Sequence, residues 1–186
     1  MNYVQPIKNK EQIEQMKEEL KRSSQRDYML FLAGINIGLR ISDLLKLKVG
    51  DFLNADKTMK SHVEIKEEKT NKYKRFKINY VLGEELYNYI KNMQLEEYLF
   101  KSRNGNNRPI TRIRAYTTLK NTADRLGIKN FGTHSLRKTF GYWHYQNYHD
   151  IAILMKIFNH SSPSITLRYI GVEDDEIDAS YDGFCL

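Results

Sequence analysis

GTHSLRKTFGYWHYQNYHDIAILMKIFNHSSPSITLRYIG, residues 132–171, holds two apolar-patterned runs and a few polar side chains that a packed core ordinarily excludes. SLRKTFGYWHYQN and DIAILMKIFN read as two helices, the second strongly apolar. Ser162 or Ser164 is expected to cap a last short helix that leads into Tyr169. His134 and Arg137 are three residues apart, the spacing that sets two side chains on one helix face. A guanidinium is permanently charged, and its planar fork matches phosphate oxygens. His160 stands nine positions before Tyr169. Taken singly these residues are unremarkable: a lone histidine is usually a hydrogen-bonded structural group, and Tyr169 is one of 13 tyrosines.

Upstream, NKEQIEQMKEELKR spaces Ile13, Met16 and Leu20 along one helical face, with Asn9 as N-cap. RDYMLFLAGINIGLR is apolar nearly all round, which predicts a buried helix ending near Gly38, and Arg40 closes that stretch. Ser42 is the expected cap of a short helical turn in ISDLLKLKVGDF. HVEIK and KRFKINY alternate apolar with polar around EEKTNKY, which predicts a β-hairpin loaded with lysine. GEELYNYIKNM and TRIRAYTTLKNTADRLG read as helices, and EYLFKSRNGNNRP as a short strand followed by a loop. The expected fold is mainly α with a small antiparallel β-sheet, an α+β arrangement.

The 186 residues fit one domain with a core of its own. Cys185 is the single cysteine, so an internal disulfide is excluded. The N-terminus lacks the apolar segment of a signal peptide, and no run reaches the length of a membrane span. A cytoplasmic protein without membrane association is expected. The formal charge is +7, from 30 Lys and Arg against 23 acids. Six of those acids lie in residues 171–186, which hold no Lys or Arg, so residues 1–170 carry 17 acids and a net +13. Such a body attracts polyanions, nucleic acid first; the bland alternative is a basic surface kept for solubility.

The ordered set GLRISDLLKLK, EEKTNKYKRFKI, GTHSLRKTFG and NHSSPSITLRYIG resembles the catalytic domain of the tyrosine recombinase, or phage integrase, family, from about Asn9 to the end. The resemblance implies that family's fold and a role for each matching residue. Arg40 and Arg137 hold the scissile phosphate together with His160, and His134 assists proton transfer. Lys69 protonates the leaving 5′-hydroxyl, with Lys72 as its competitor. Tyr169 is the nucleophile, and Asp43 orients its neighbours. The implied activity is cleavage and rejoining of double-stranded DNA through a 3′-phosphotyrosyl intermediate by a site-specific recombinase of a mobile element. Neither metal, ATP nor any other cofactor is expected. The rival readings are strand relaxation like that of a type IB topoisomerase, and DNA binding without catalysis.

Two departures from the family pattern stand out. Asn159 occupies a position where glycine is common before the second histidine, and asparagine tolerates the left-handed backbone that such a turn needs. No N-terminal core-binding domain is recognised before the catalytic unit. The expected organisation is therefore a catalytic domain over residues 1–171 and an acidic, partly apolar tail over 172–186. The tail's acids should point away from DNA. Its Ile177, Tyr181, Phe184 and Leu186 suit docking on a neighbouring protomer or folding back on its own domain.

Overall fold

The structure, a computed structural model, describes residues 4–184, apart from the side chains of Asp174 and Glu176. Cys185 and Leu186 lie outside the described residues. Helix α1 (Lys10–Ser23) begins where the Asn9 side chain accepts the Glu11 N–H, and it buries Ile13, Met16 and Leu20. Helix α2 (Gln25–Ile37) follows at once, capped by Ser24, and is buried along most of its length. It stops at Gly38, whose φ of 67° suits a residue without Cβ.

The chain then runs extended through Arg40, and α3 (Ile41–Leu45) starts immediately after it. Ser42 therefore lies inside α3, and Arg40 is its N-cap residue, a correction to the expected cap. The reason is geometric: the Arg40 carbonyl accepts the Asp43 and Leu44 N–H groups, which leaves the guanidinium free to turn inward. A short α4 (Val49–Phe52) leads to the hairpin of β1 (His62–Lys66) and β2 (Tyr73–Lys77). The strands pair antiparallel, with Val63 opposite Phe76 and Ile65 opposite Lys74. Helix α5 (Tyr80–Ile90) begins earlier than its sequence pattern suggests, because Asn79 caps it by accepting the Leu82 N–H. The short strand expected around EYLFK reduces to isolated bridges, Tyr98 to Lys48 and Lys101 to Pro109. Helix α6 (Arg112–Arg125) follows, capped by Thr111.

Helix α7 (Thr133–Tyr148) is the central strut. On one side it lies so close to α2 that a Cβ on Gly34 would come 2.5 Å from Leu136 Cδ1. On the other side, a Cβ on Gly141 would come 2.6 Å from Ile170 and 2.7 Å from the Phe158 ring. Those contacts seat α8 (Ile151–Phe158) and α9 (Pro163–Ile170) against α7. Ser162, one of the two serines expected, caps α9. Leu154, Phe158, Ile170 and Val172 form a small apolar cluster apart from the main core. The acidic segment is helical, α10 (Val172–Asp182), and is held to its own domain by Lys8, which donates to the Gly171 carbonyl and pairs with Asp175. Ile177, Tyr181 and Phe184 remain exposed.

Candidate active site

Arg137 projects from the second turn of α7 and is only 3% exposed. An unpaired guanidinium there would be costly. It is instead tied to backbone that the sequence holds far away, donating to the carbonyls of Gly38 (2.7 Å) and Phe158 (3.2 Å). The end of α2 and the end of α8 are thus pinned to one side chain, which also lies over the Phe158 ring at 4.6 Å.

Arg40 approaches from the α2–α3 corner and donates to Glu67 Oε1 at 2.9 Å. The same carboxylate oxygen is 4.0 Å from Arg137. Glu67 is fully buried and follows β1 directly. Its other oxygen accepts from the Thr70 hydroxyl (2.8 Å) and the Asn159 amide (3.2 Å). Burial alone would raise the Glu67 pKa, but the Thr70 hydrogen bond and the charges of Arg40 and Lys74 outweigh it and hold the group below the usual carboxylate value. The two arginines therefore share one carboxylate as counter-ion.

Asn159 takes the left-handed backbone expected of it, with φ 56° at the end of α8. His160 follows, its Nδ1 3.0 Å from the Thr166 hydroxyl and its ring packed edge-on to Tyr169 at 5.1 Å. Tyr169 lies on α9, half-buried, with its ring also against Phe158 and beneath the Lys138 ammonium. The Arg137 guanidinium is near enough for its charge to act on the Tyr169 phenol. Desolvation pushes the phenol pKa up, and the Arg137 and Arg40 charges offset this only in part, so the resting group is protonated. Desolvation, followed by the charges of Arg137 and Arg40, lowers the pKa of His160. His134 stands exposed at the start of α7; desolvation of its ring, then Lys138, Arg137, Arg112 and Arg40, lower its pKa too. The downward shifts favour the neutral, proton-accepting form of both imidazoles.

The structure thus gathers Arg40, Arg137, His160 and Tyr169 into one cluster, with His134 within its field. It does not bring Lys69 there. Lys69 and Lys72 are both exposed on the hairpin turn. The lysine inside the cluster is Lys74, whose ammonium donates to the Ile157 carbonyl at 3.1 Å. Desolvation, with repulsion from Arg137, lowers its pKa to about 8. Glu67 and Lys74 were not singled out by the sequence motifs, yet alternation along the strands carries the signal. Val63, Ile65 and Glu67 share one face of β1 and its continuation, and Lys74 shares the inward face of β2 with Phe76. Asp43 is buried on α3 and accepts the Glu68 N–H at 2.9 Å, fixing the near end of the turn. Among the described residues no group of three His, Cys, Asp or Glu side chains could hold a metal ion, and no helix is long and apolar enough to cross a membrane.

One buried and one part-exposed arginine thus converge near a tyrosine and a histidine, and comparison with known proteins gives the family. Residues 8–176 match the model of the phage integrase family, and the chain belongs to that family of tyrosine recombinases. It is 48% identical to the probable integrase/recombinase YoeC of Bacillus subtilis (strain 168), over 99% of this chain and 98% of that protein. Among solved structures it resembles XerA recombinase with a TM-score of 0.74 at 21% identity, covering 96% of this chain and 65% of that one. It also resembles XerH site-specific recombinase bound to palindromic difH substrate in a post-cleavage complex, with a TM-score of 0.71 at 21% identity. There it covers 97% of this chain and 53% of XerH, so the chain spans between half and two thirds of these two longer recombinases.

Proposed function

We propose that the protein is a site-specific DNA recombinase that cleaves and rejoins duplex DNA by transesterification at Tyr169. The observation that carries this reading is the packing of Tyr169 on His160 and Phe158, the ring over which the buried Arg137 lies, with Arg40 beside it across a shared carboxylate. A phosphodiester seated on the two arginines lies next to the phenol. Its non-bridging oxygens gain charge in the transition state, where fixed cationic donors stabilise them. The phenol oxygen attacks phosphorus as its proton passes to a neutral imidazole, His134 or His160. The new bond is a 3′-phosphotyrosyl ester. The bond to the 5′-oxygen breaks, and that oxygen leaves as a hydroxyl with a proton supplied by Lys69. One phosphoester replaces another, so the reverse reaction reseals DNA without ATP, and the arginine charges serve the role a divalent cation would otherwise fill.

In this reading residues 1–171 are the catalytic unit and the protein works where cellular DNA lies, in the cytoplasm. The exposed Ile177, Tyr181 and Phe184 of the C-terminal segment are the contact offered to a second protomer on DNA. Deleting residues 173–186 should then reduce the size of the complex on DNA while leaving cleavage intact; an unchanged complex would reject that contact.

The reaction is tested with a pool of nicked duplexes of randomised sequence, in excess EDTA. Covalent protein–DNA adducts are expected to accumulate, and an added strand with a free 5′-hydroxyl should be joined to the captured DNA. Adducts that relax supercoils but never join a partner strand would indicate a topoisomerase. Duplex binding without adducts would indicate a non-catalytic binder, and cleavage only on restoring magnesium would indicate a nuclease.

A further inference from the structure

The deepest polar contact in the site joins none of the reacting groups directly. Glu67 has no exposed surface, and its two carboxylate oxygens meet four different segments. Oε1 faces Arg40 of the α2–α3 corner and Arg137 of α7. Oε2 faces Thr70 of the hairpin turn and Asn159, the residue before His160. The backbone of Glu67 also closes the turn, because its N–H donates to the Lys72 carbonyl and its carbonyl accepts the Asn71 N–H, each at 3.0 Å. Lys69 sits within that closed loop, between Glu68 and Thr70.

We propose that Glu67 is a positioning residue that couples the lysine-bearing turn to the arginine pair, so that the proton donor and the phosphate clamp are set by one buried carboxylate. The proposal rests on the function proposed above, for it concerns how that site is assembled.

Three observations carry it beyond ordinary core packing. First, a carboxylate in a wholly buried position is costly unless each lone pair is used, and here every contact is to a group of the site or its immediate neighbour. Second, the contacts join segments distant in the chain: Arg40 is 27 residues away and Asn159 is 92. Third, the carboxylate sets the arginine forks without blocking the cluster, since Arg40 retains 21% side-chain exposure on the open side. A guanidinium held on one edge by a carboxylate presents its remaining donors in a fixed direction, which suits a planar match to phosphate oxygens. Removing the charge leaves two like charges facing each other and frees the Thr70 end of the turn.

Glu67→Gln preserves shape and removes the charge, and Thr70→Val releases only the turn. Both are compared with wild type in three readouts: adduct formation on nicked duplex in a single turnover, duplex affinity, and amide hydrogen exchange of residues 67–72 without DNA. Glu67→Gln is expected to slow adduct formation by about 10-fold or more, a fraction of the loss typical when a transition-state donor is removed outright, while duplex affinity changes less than about 3-fold. The Glu68 and Asn71 amides should exchange faster in both variants, and Thr70→Val should slow adduct formation less than Glu67→Gln does. A purely structural role would weaken binding and cleavage together. Equal losses in both, adduct formation at the wild-type rate in Glu67→Gln, or turn exchange at the wild-type rate in either variant would overturn the proposal. Should Glu67→Gln not fold, unchanged exchange and cleavage in Thr70→Val would overturn it, and faster exchange with slower cleavage would support it. If wild type itself forms no adduct, the proposed function fails, and the exchange comparison alone decides whether Glu67 holds the turn.

Discussion

Arg137 and Lys69, proposed to act on the same phosphate, occupy opposite environments. The arginine is buried, bonded to two distant carbonyls and fixed by a helix wedged between α2 and α9. The lysine is exposed on a hairpin turn, and the structure gives it no ion pair among the described residues. The difference follows from what each must do. Charge stabilisation in the transition state is worth most when the donors need not reorganise, so the clamp is built into the core. The proposed proton donor, Lys69, would have to reach a leaving group that arrives only with DNA, and it lies on a short turn anchored at Asp43 and Glu67 rather than on a helix.

That contrast is broken most severely on the rigid side. Arg137→Ala should slow adduct formation by about 10²-fold or more, by the magnitude of a lost transition-state donor. It should also lower the thermal midpoint, since the Gly38 and Phe158 carbonyls lose their partner. Near-normal cleavage would mean that the buried arginine is scaffolding alone.

The exposed side is sharpened by chemistry instead of stability. Lys69→Ala should slow cleavage of ordinary DNA by about 10²-fold, the usual scale for a general acid, with little change in folding. A duplex bearing sulfur in place of the bridging 5′-oxygen at the cleaved bond releases a thiolate, which needs no proton. On that substrate the variant should approach the wild-type rate. If Lys74→Ala is rescued in this way and Lys69→Ala is not, the buried lysine is the proton donor and the turn is not.

The smallest effect concerns Lys74 in the ground state. Its pKa is about 8 in the folded protein against 10.5 for the free side chain. Between those values the unfolded chain binds a proton that the folded one does not, so this group's contribution to stability rises with pH through that window. Below pH 8 both states are charged, and the cost of burying the ammonium is fully present. Wild type should therefore gain about 1 kcal/mol more than Lys74→Gln between pH 8 and 9 in denaturant unfolding. Parallel pH profiles for the two proteins would place Lys74 in a solvated environment.

Much of this arrangement was legible in the sequence because it is local. Asn9, Gly38, Asn159 and Ser162 each end or begin a helix by a side-chain or backbone property that a short window reveals. The hairpin followed from alternation, and the ordered motifs pointed to Arg40, Arg137, His160 and Tyr169. What escaped was long-range. KEEK reads as a solvated charge run, and nothing within it shows that two arginines, 27 and 70 residues away, converge on its first glutamate. Lys74 was likewise hidden among several hairpin lysines, although its alternation with Phe76 sets it on the inward face. Ser42 misled as a cap because serine is favoured there locally, whereas the extended backbone after Gly38 starts the helix at Ile41. The acidic residues after Gly171 read as a tail, yet helix α10 forms there and Lys8, far off in sequence, pairs with it.

Everything proposed for this site depends on Tyr169 as the nucleophile, and the most direct test is to identify the amino acid joined to DNA. Adducts captured on nicked duplex would be digested with protease and nuclease, and the peptide retaining a nucleotide sequenced by mass spectrometry. The nucleotide is expected on Tyr169, with no adduct from Tyr169→Phe and duplex binding retained. A nucleotide on any other residue, such as the exposed Tyr181, or an adduct that persists in Tyr169→Phe, would contradict it.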